Sequence, residues 1–196
     1  MIKIIRLILR DIKRKKISVE NFRFLIKLFN LKKMKYELRE MLPEDGAQVL
    51  QIFKQGIDGG NATFDKDVPS WETWDNKYFK VCRLVLVNEN GVVQGWAAIQ
   101  PVSARVCYKG VAEVSIYLDN SVHGKGFGEM LLHKLIEETE EHHFWTLQSG
   151  IFPENVASIK IHEKLGFRII GRREKIAEMN GIWRDVILLE RRSKSI

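Results

Sequence analysis

Apolar positions recur at two spacings along this chain, and the switches between them mark its elements. Tyr36 to Met41 alternates weakly and predicts a short strand, after which Pro43-Glu44-Asp45 opens a helix with acids in its first turn. Val49, Leu50, Ile52, Phe53 and Ile57 share one face of that helix, and Gly59-Gly60 ends it ahead of an Asn61-Ala62-Thr63-Phe64 loop. Pro69-Ser70 starts a second helix with Trp71, Trp74 and Tyr78 at spacings of three and four. Such a stripe reads first as core and second as a ligand-facing wall. Leu84 to Val87 and Val92 to Ile99 flank Asn88-Glu89-Asn90-Gly91, whose Asn-Gly pair predicts an antiparallel hairpin.

Ala112 to Leu118 alternates strictly. Ala112, Val114, Ile116 and Leu118 fall on one face, Glu113, Ser115 and Tyr117 on the other, so a carboxylate stands mid-strand. A Gly-rich turn follows, then a helix from about Gly126 to Glu141 with Phe127, Met130, Leu131, Leu135 and Ile136 inward. Leu147 to Phe152 is another strand, Asn155 caps a helix that ends at Gly166, and Phe167 to Arg172 and Trp183 to Glu190 are strands around an Asn180-Gly181 turn. This order, with two hairpins, predicts a mixed α/β (α+β) fold whose sheet holds both antiparallel and parallel pairs. No apolar run reaches the ~18–20 residues of a membrane span, and no internal repeat is visible.

Composition adds one domain boundary. The 196 residues are 45% hydrophobic and 29% charged, the balance of one soluble domain with a core. The net charge of +7 is unevenly placed: residues 1–35 hold twelve Lys/Arg and two acids, so the remainder is mildly acidic. The basic excess therefore says little about the substrate, and nucleic acid is not an expected partner. Residues 1–34 read as a basic helical extension, with Ile4, Ile5, Leu7, Ile8, Leu9 and Ile12 among cations and Phe22, Leu25, Ile26 and Phe29 repeating the apolar spacing. Arg6 and Arg10 interrupt the stretch, which argues against a secretory signal. An anchor to nucleic acid or, with weak affinity, to anionic membranes, a packing arm, and a translated segment ahead of a start at Met34 remain open. Cys82 and Cys107 are expected as buried thiols in a reducing, cytoplasmic setting.

The densest chemistry lies in the run from the 112–118 strand through His123-Gly124-Lys125-Gly126-Phe127-Gly128 into a helix. Glycines let the backbone turn with its N–H groups inward, and the helix start adds partial positive charge, so the turn suits a pyrophosphate. A plain tight turn is the competing reading. A dinucleotide fingerprint would need Gly at Glu129, and a P-loop would need Ser or Thr at Gly126.

His123-Gly124-Lys125-Gly126-Phe127-Gly128 resembles the [Gln/Arg]-x-x-Gly-x-[Gly/Ala] turn of the GNAT superfamily of acetyl-CoA-dependent N-acetyltransferases, with His123 in place of the usual Arg or Gln. Asn155-Val156-Ala157-Ser158-Ile159-Lys160-Ile161-His162-Glu163-Lys164-Leu165-Gly166-Phe167 is similar to that superfamily's second signature. Asn61-Ala62-Thr63-Phe64, Glu113-Val114-Ser115-Ile116-Tyr117 and Gly181-Ile182-Trp183-Arg184-Asp185 resemble its phosphinothricin and methionine sulfoximine acetyltransferase branch. The resemblance covers about Tyr36 to Arg192, placing the transferase domain at residues 35–192. It implies a mostly antiparallel twisted sheet flanked by helices and splayed between two central parallel strands. It also implies acetyl-CoA as co-substrate, no metal, a small-molecule amine as acceptor, and a homodimer.

By the same resemblance, Ile116, Tyr117, Leu118, His123, Gly124, Lys125, Gly126, Phe127, Gly128 and Asn155 bind the cofactor. Phe64, Arg105, Tyr108 and Ser115 meet the substrate, with Arg105 a candidate anchor for a carboxylate or phosphinate. Glu113 is the candidate general base, since an ammonium must lose a proton before it attacks a thioester; a solvated outward glutamate is the competing reading. His162 stands where many superfamily members have a Tyr that protonates the departing thiolate. Acetyl transfer to another amine, such as a polyamine or a protein N-terminus, and a non-catalytic acyl-CoA-binding module with a basic docking arm are the alternatives. His142 and His143 adjoin a polar helix end, and adjacent residues point apart, so no two-His metal site is expected.

Overall fold

A computed structural model describes residues 35–196 and, ahead of them, Ile26. The two basic helices expected before Met34 lie outside the described residues. The chain divides into two compact units, Met1–Glu37 and Leu38–Ile196. Along it run β1 (Tyr36–Glu40), α1 (Gly46–Asp58), α2 (Trp71–Lys77), β2 (Leu84–Asn88), β3 (Val93–Pro101) and β4 (Val111–Leu118). They are followed by α3 (Phe127–Glu141), β5 (Thr146–Ile151), α4 (Val156–Lys164), β6 (Arg168–Met179) and β7 (Ile182–Arg192).

The strands form one seven-stranded sheet in the order β1-β2-β3-β4-β5-β7-β6. Both Asn-Gly signals produce the expected hairpins. Asn88 Oδ1 accepts from the amides of Asn90 and Val92 at 3.0 Å while Gly91 takes φ +73°, joining β2 to β3 antiparallel. Asn180 (φ +53°) and Gly181 (φ +79°) both adopt the left-handed region that a tight β6–β7 turn requires. The central pair β4–β5 is parallel but matched only from Val111↔Thr146 to Glu113↔Gln148. Beyond Glu113 the strands part, leaving the β5-facing edge of β4 without a ladder partner, which is the expected splay.

Strand alternation sorts the core into two faces. Phe53 and Trp96 pack on the Tyr117 ring, on the face shared with Glu113 and Ser115. There α1 and α2 bury Val49, Ile52, Phe53, Trp74 and Tyr78 against Val85, Val87, Trp96 and Ala98. The Trp74 indole, 1% exposed, meets Trp96 edge-on at 5.2 Å, so the aromatic stripe is core. The opposite face carries Ala112, Leu118 and the buried side of α3, including Phe127, Leu131 and Leu135.

Two expectations are corrected. Cys82 is buried, but Cys107 is exposed, because it sits in the 3-10 turn Val106–Tyr108 that projects between β3 and β4. The strand expected over Phe167 to Arg172 extends to Met179 despite a run of charges. Asp185 on β7 explains this: it accepts from the Lys175 amide at 2.7 Å and from Arg172 Nε at 2.6 Å, holding the bulged segment Arg173–Ala177 on its partner strand.

Candidate active site

The splay opens a cleft with two adjoining cavities. The first, about 250 Å³, is lined by Glu113, Ser115 and Gln100 from the sheet and by Tyr78, the residue that ends α2. Thr63, Phe64 and Asp65 line it from the loop after α1, Lys77 from the end of α2, Ser149 and Phe152 from β5 and its exit, and His162 from α4. The second, about 420 Å³, lies between the end of β4, the turn at His123 and Gly124, and α4. Asn61, Ala62, Ile116, Tyr117, Asn155, Ser158 and His162 line both, so the cavities share a wall.

Within the first cavity the polar groups are organised by register. Gln100 pairs directly with Glu113 across β3–β4, and its Nε2 donates to Glu113 Oε2 at 3.2 Å. Tyr78 donates its hydroxyl to Ser115 Oγ at 3.2 Å, and burial pushes the phenol up to about 12. Tyr117, stacked on Trp96, is likewise raised by burial, and its hydroxyl donates to the Ala62 carbonyl at 3.4 Å. Both phenols therefore remain protonated through neutral pH.

His162 is 3% exposed and packs edge-on against Phe167. Its Nδ1 lies 2.8 Å from the Ser158 carbonyl oxygen, whereas the buried Nε2 has no partner among the described residues. A carbonyl oxygen only accepts, so the neutral ring carries its proton on Nδ1 and presents a bare Nε2 lone pair. Burial holds the imidazole's pKa below its usual value, outweighing the bond to Ser158. In the unfolded chain the ring titrates near ~6.5. Its contribution to stability is therefore complete above that pH and is lost as pH falls through it toward the lower folded pKa. Melting temperature measured from pH 8 to pH 5 should drop more steeply for the wild type than for His162→Phe; parallel curves would show that another group sets the acid limb.

The turn contributes His123, Gly124 and Gly128 to the second cavity. Gly124 and Gly126 take φ +74° and +82°, and a Cβ added at either would meet nothing within 4 Å, so the backbone fronts open space. The N-cap of α3 is Gly126, which brings no side chain of its own to the helix start. The ring of His123 is exposed and its Nε2 lies 3.2 Å from the Leu118 carbonyl, which folds the turn back onto β4. Gln55 of α1 braces the preceding segment, donating to Asp119 at 2.8 Å and accepting from the Asn120 amide at 2.9 Å. Open glycines, a glycine at the helix start and an unladdered strand edge together fit a long ligand carrying a diphosphate. Among the described residues no group of three or more His, Cys, Asp or Glu is placed to hold a metal ion.

Of the residues singled out in sequence, Glu113, His162, Phe64 and Ser115 line the first cavity. Ile116, Tyr117, Leu118, His123, Gly124, Gly128 and Asn155 line the second. Lys125, Gly126 and Phe127 line neither cavity, and the Phe127 side chain turns into the core at 2% exposure. Arg105 and Tyr108 also line neither; both are exposed, with the guanidinium 5.8 Å from the Tyr108 ring centroid. The cation that does face the first cavity is Lys77, 3.8 Å from Asp65. Tyr78 stood in the aromatic stripe and Ser158 within the second signature, whereas Gln55, Lys77 and Gln100 had no motif to announce them. Of these three only Gln100 carried a usable signal, since the strand pairing places it opposite Glu113 once the hairpin register is known.

A model of the acetyltransferase (GNAT) family matches residues 49–167, more than half of the chain and both cavities' framework. The chain belongs to that family. This GNAT chain is 33% identical over 107 residues to the L-methionine sulfoximine/L-methionine sulfone acetyltransferase of Salmonella typhimurium, a match spanning 54% of the chain and 63% of that enzyme. It is 25% identical over 162 residues to the enzyme of the same name from Pseudomonas paraeruginosa, covering 80% of the chain and 94% of the relative. Among solved structures, the GNAT superfamily phosphinothricin acetyltransferase of Sinorhizobium meliloti in complex with AcCoA superposes with a TM-score of 0.75 at 26% identity, covering 81% of the chain and 89% of its own. Among the described residues no helix is long and apolar enough to cross a membrane.

Proposed function

We propose that this chain transfers an acetyl group from acetyl-CoA to the primary amine of a small amino-acid-like compound of the methionine sulfoximine or phosphinothricin type. The observation that carries the reading is the pairing of a carboxylate and an unprotonated imidazole nitrogen in one small cavity that shares its wall with a glycine-fronted groove. The relatives' names supply the acceptor class.

When bound, acetyl-CoA supplies an activated acetyl group as a thioester. Ile116 to Leu118 would hold its arm along the unladdered edge of β4, and His123, Gly124 and the start of α3 its diphosphate. Glu113 takes a proton from the acceptor ammonium, directly or through water, so that the free amine attacks the thioester carbonyl. His162 takes up at Nε2 the second proton, which the attacking nitrogen sheds as the C–N bond forms, and so has one to deliver to the thiolate that departs as the C–S bond breaks. Lys77 supplies the positive charge for a substrate carboxylate at the cavity rim, the part earlier assigned to Arg105.

The test is release of free thiol, followed by absorbance, against a panel containing methionine sulfoximine, phosphinothricin, a polyamine and a peptide N-terminus. Turnover confined to the first two supports the reading, and preference for either of the others moves the acceptor. Calorimetric binding of acetyl-CoA with no thiol release from any amine overturns the catalytic reading.

The proposed transferase domain spans residues 35–192, with the basic extension dispensable. A chain beginning at Met34 should fold and turn over at a rate similar to full length, because every residue assigned to the site lies after it. Thermal melting and sedimentation with anionic vesicles, run on both lengths, check this. An inactive short chain would make the extension part of the fold, and vesicle binding by the long chain alone would give it a membrane-surface role. The reading is completed by a cytoplasmic homodimer, for which sedimentation equilibrium is the check.

A further inference from the structure

The tail motif around Arg184 has no part in the proposed chemistry, yet its arginine is one of the most constrained cations near the cleft. Its side chain is 15% exposed, although the part of β7 ahead of Ile187 does not reach β5 and pairs only with β6. The guanidinium lies over the Phe152 ring, 4.2 Å from its centroid. From there Nη1 donates to the Gly60 carbonyl at 3.2 Å, and Nη2 donates to Asn61 Oδ1 at 3.0 Å and to Glu154 Oε2 at 3.1 Å. Two of these bonds end on the segment after α1 that carries Thr63, Phe64 and Asp65.

We infer that Arg184 is a positioning residue that clamps the Gly60–Phe64 loop over the cleft and thereby sets the acceptor cavity. The inference rests on the proposed acetyl transfer for its kinetic readout. The loop has no helix or strand of its own, and Gly60 turns it with φ +64°. The Gly60 amide holds the loop to the end of α1 by donating to the Ile57 carbonyl at 2.9 Å, while farther along the ties are longer: Asn155 Nδ2 reaches the Asn61 carbonyl at 3.3 Å and Tyr117 the Ala62 carbonyl at 3.4 Å. Asn61 and Ala62 form part of the wall common to both cavities, and Phe64 meets Phe152 edge-on at 4.7 Å. Phe152 is thus gripped from one side by the guanidinium and from the other by the loop's own aromatic ring. A planar, five-donor cation satisfies the ring, a carbonyl, an amide oxygen and a carboxylate together, which a lysine cannot do. None of these bonds involves Glu113 or His162, so Arg184 acts through the loop.

The test compares wild type with Arg184→Ala, Arg184→Lys and Glu154→Gln. Arg184→Ala should lose roughly 10–100-fold in kcat/KM for the amine. Most of that loss should fall on the amine KM, because Thr63, Phe64 and Asp65 face only the acceptor cavity. Guanidinium chloride, added well below denaturing concentrations, should restore part of it, a rescue that general destabilisation would not show. Arg184→Lys should be only slightly better than Arg184→Ala, and Glu154→Gln should stay within about twofold, because Glu154 is an exposed rim partner. Hydrogen exchange of the amides at residues 60–65 gives a readout independent of turnover, and it should speed up in Arg184→Ala. Unchanged loop exchange, or an unchanged amine KM in an active variant, overturns the clamp. If no amine is acetylated by the wild type, the functional reading fails, while the exchange result still decides the clamp.

Discussion

Glu113→Gln should lower kcat by about 10²–10⁴, a barrier increase of ~3–5 kcal/mol, while leaving the KM for acetyl-CoA within about twofold. The substitution is nearly isosteric, and the amide still has an oxygen to accept from Gln100 Nε2, now 3.2 Å from the carboxylate, so the fold and the cavity wall should persist. The separation of the two parameters follows from place: Glu113 lines the acceptor cavity and not the groove at the Gly-rich turn. The α-amino group of an amino-acid-like acceptor is mostly protonated at neutral pH, and without a base only its free fraction reacts. The rate of Glu113→Gln should therefore climb about tenfold per pH unit up to the amine's own pKa, narrowing the gap to wild type. Steady-state kinetics from pH 6 to pH 9 check this, and a matching rise in acetyl-CoA KM would take Glu113 out of the chemistry.

The features readable from sequence are those set by local rules. The Asn-Gly turns, the Asn155 cap that accepts from the Ser158 amide at 3.2 Å, and the alternation placing Glu113 opposite Ala112 each depend on neighbours in the chain. The strand–turn–helix run through His123 to Gly128 is legible for the same reason. What escaped depends on partners distant in sequence. Arg184 meets Gly60 across 124 positions, Gln55 meets Asp119 across 64, and no periodicity reports such a contact. The same limit applies to the candidate anchor. Arg105 has the chemistry for a carboxylate, but the turn at Val106–Tyr108 keeps it outside both cavities, whereas the end of α2 brings Lys77 to one of them. The length of β6 escaped because Arg172, Arg173, Glu174 and Lys175 break alternation, and only Asp185 on the opposing strand compensates.

Gly56 makes the case that one of these distant contacts is also a stability limit. A glycine inside an exposed helix normally costs about 1 kcal/mol relative to alanine, so Gly56→Ala would ordinarily stabilise α1. Here the added Cβ would stand 2.6 Å from Tyr117 Cε1 and 2.7 Å from Cδ1. The ring has no room to retreat, because it stacks on Trp96 at 4.7 Å and meets Phe53 at 5.1 Å, and Trp96 is itself fully buried. Relief must come from lifting α1, which also carries the Gln55 brace on the Asp119–Asn120 segment. Overpacking of this kind costs ~1–3 kcal/mol, which for a chain of this size lowers the melting temperature by about 2–12 °C. Because Gly56 and Tyr117 both line the groove by the Gly-rich turn, the KM for acetyl-CoA should rise as well. Tyr117→Phe should not relieve the clash, since the close atoms are ring carbons. In a Tyr117→Leu background, however, the penalty of Gly56→Ala should shrink, giving a coupling that a double-mutant cycle in thermal melting measures. A higher melting temperature for Gly56→Ala alone would mean that helix propensity prevails and that α1 is free to move on the sheet.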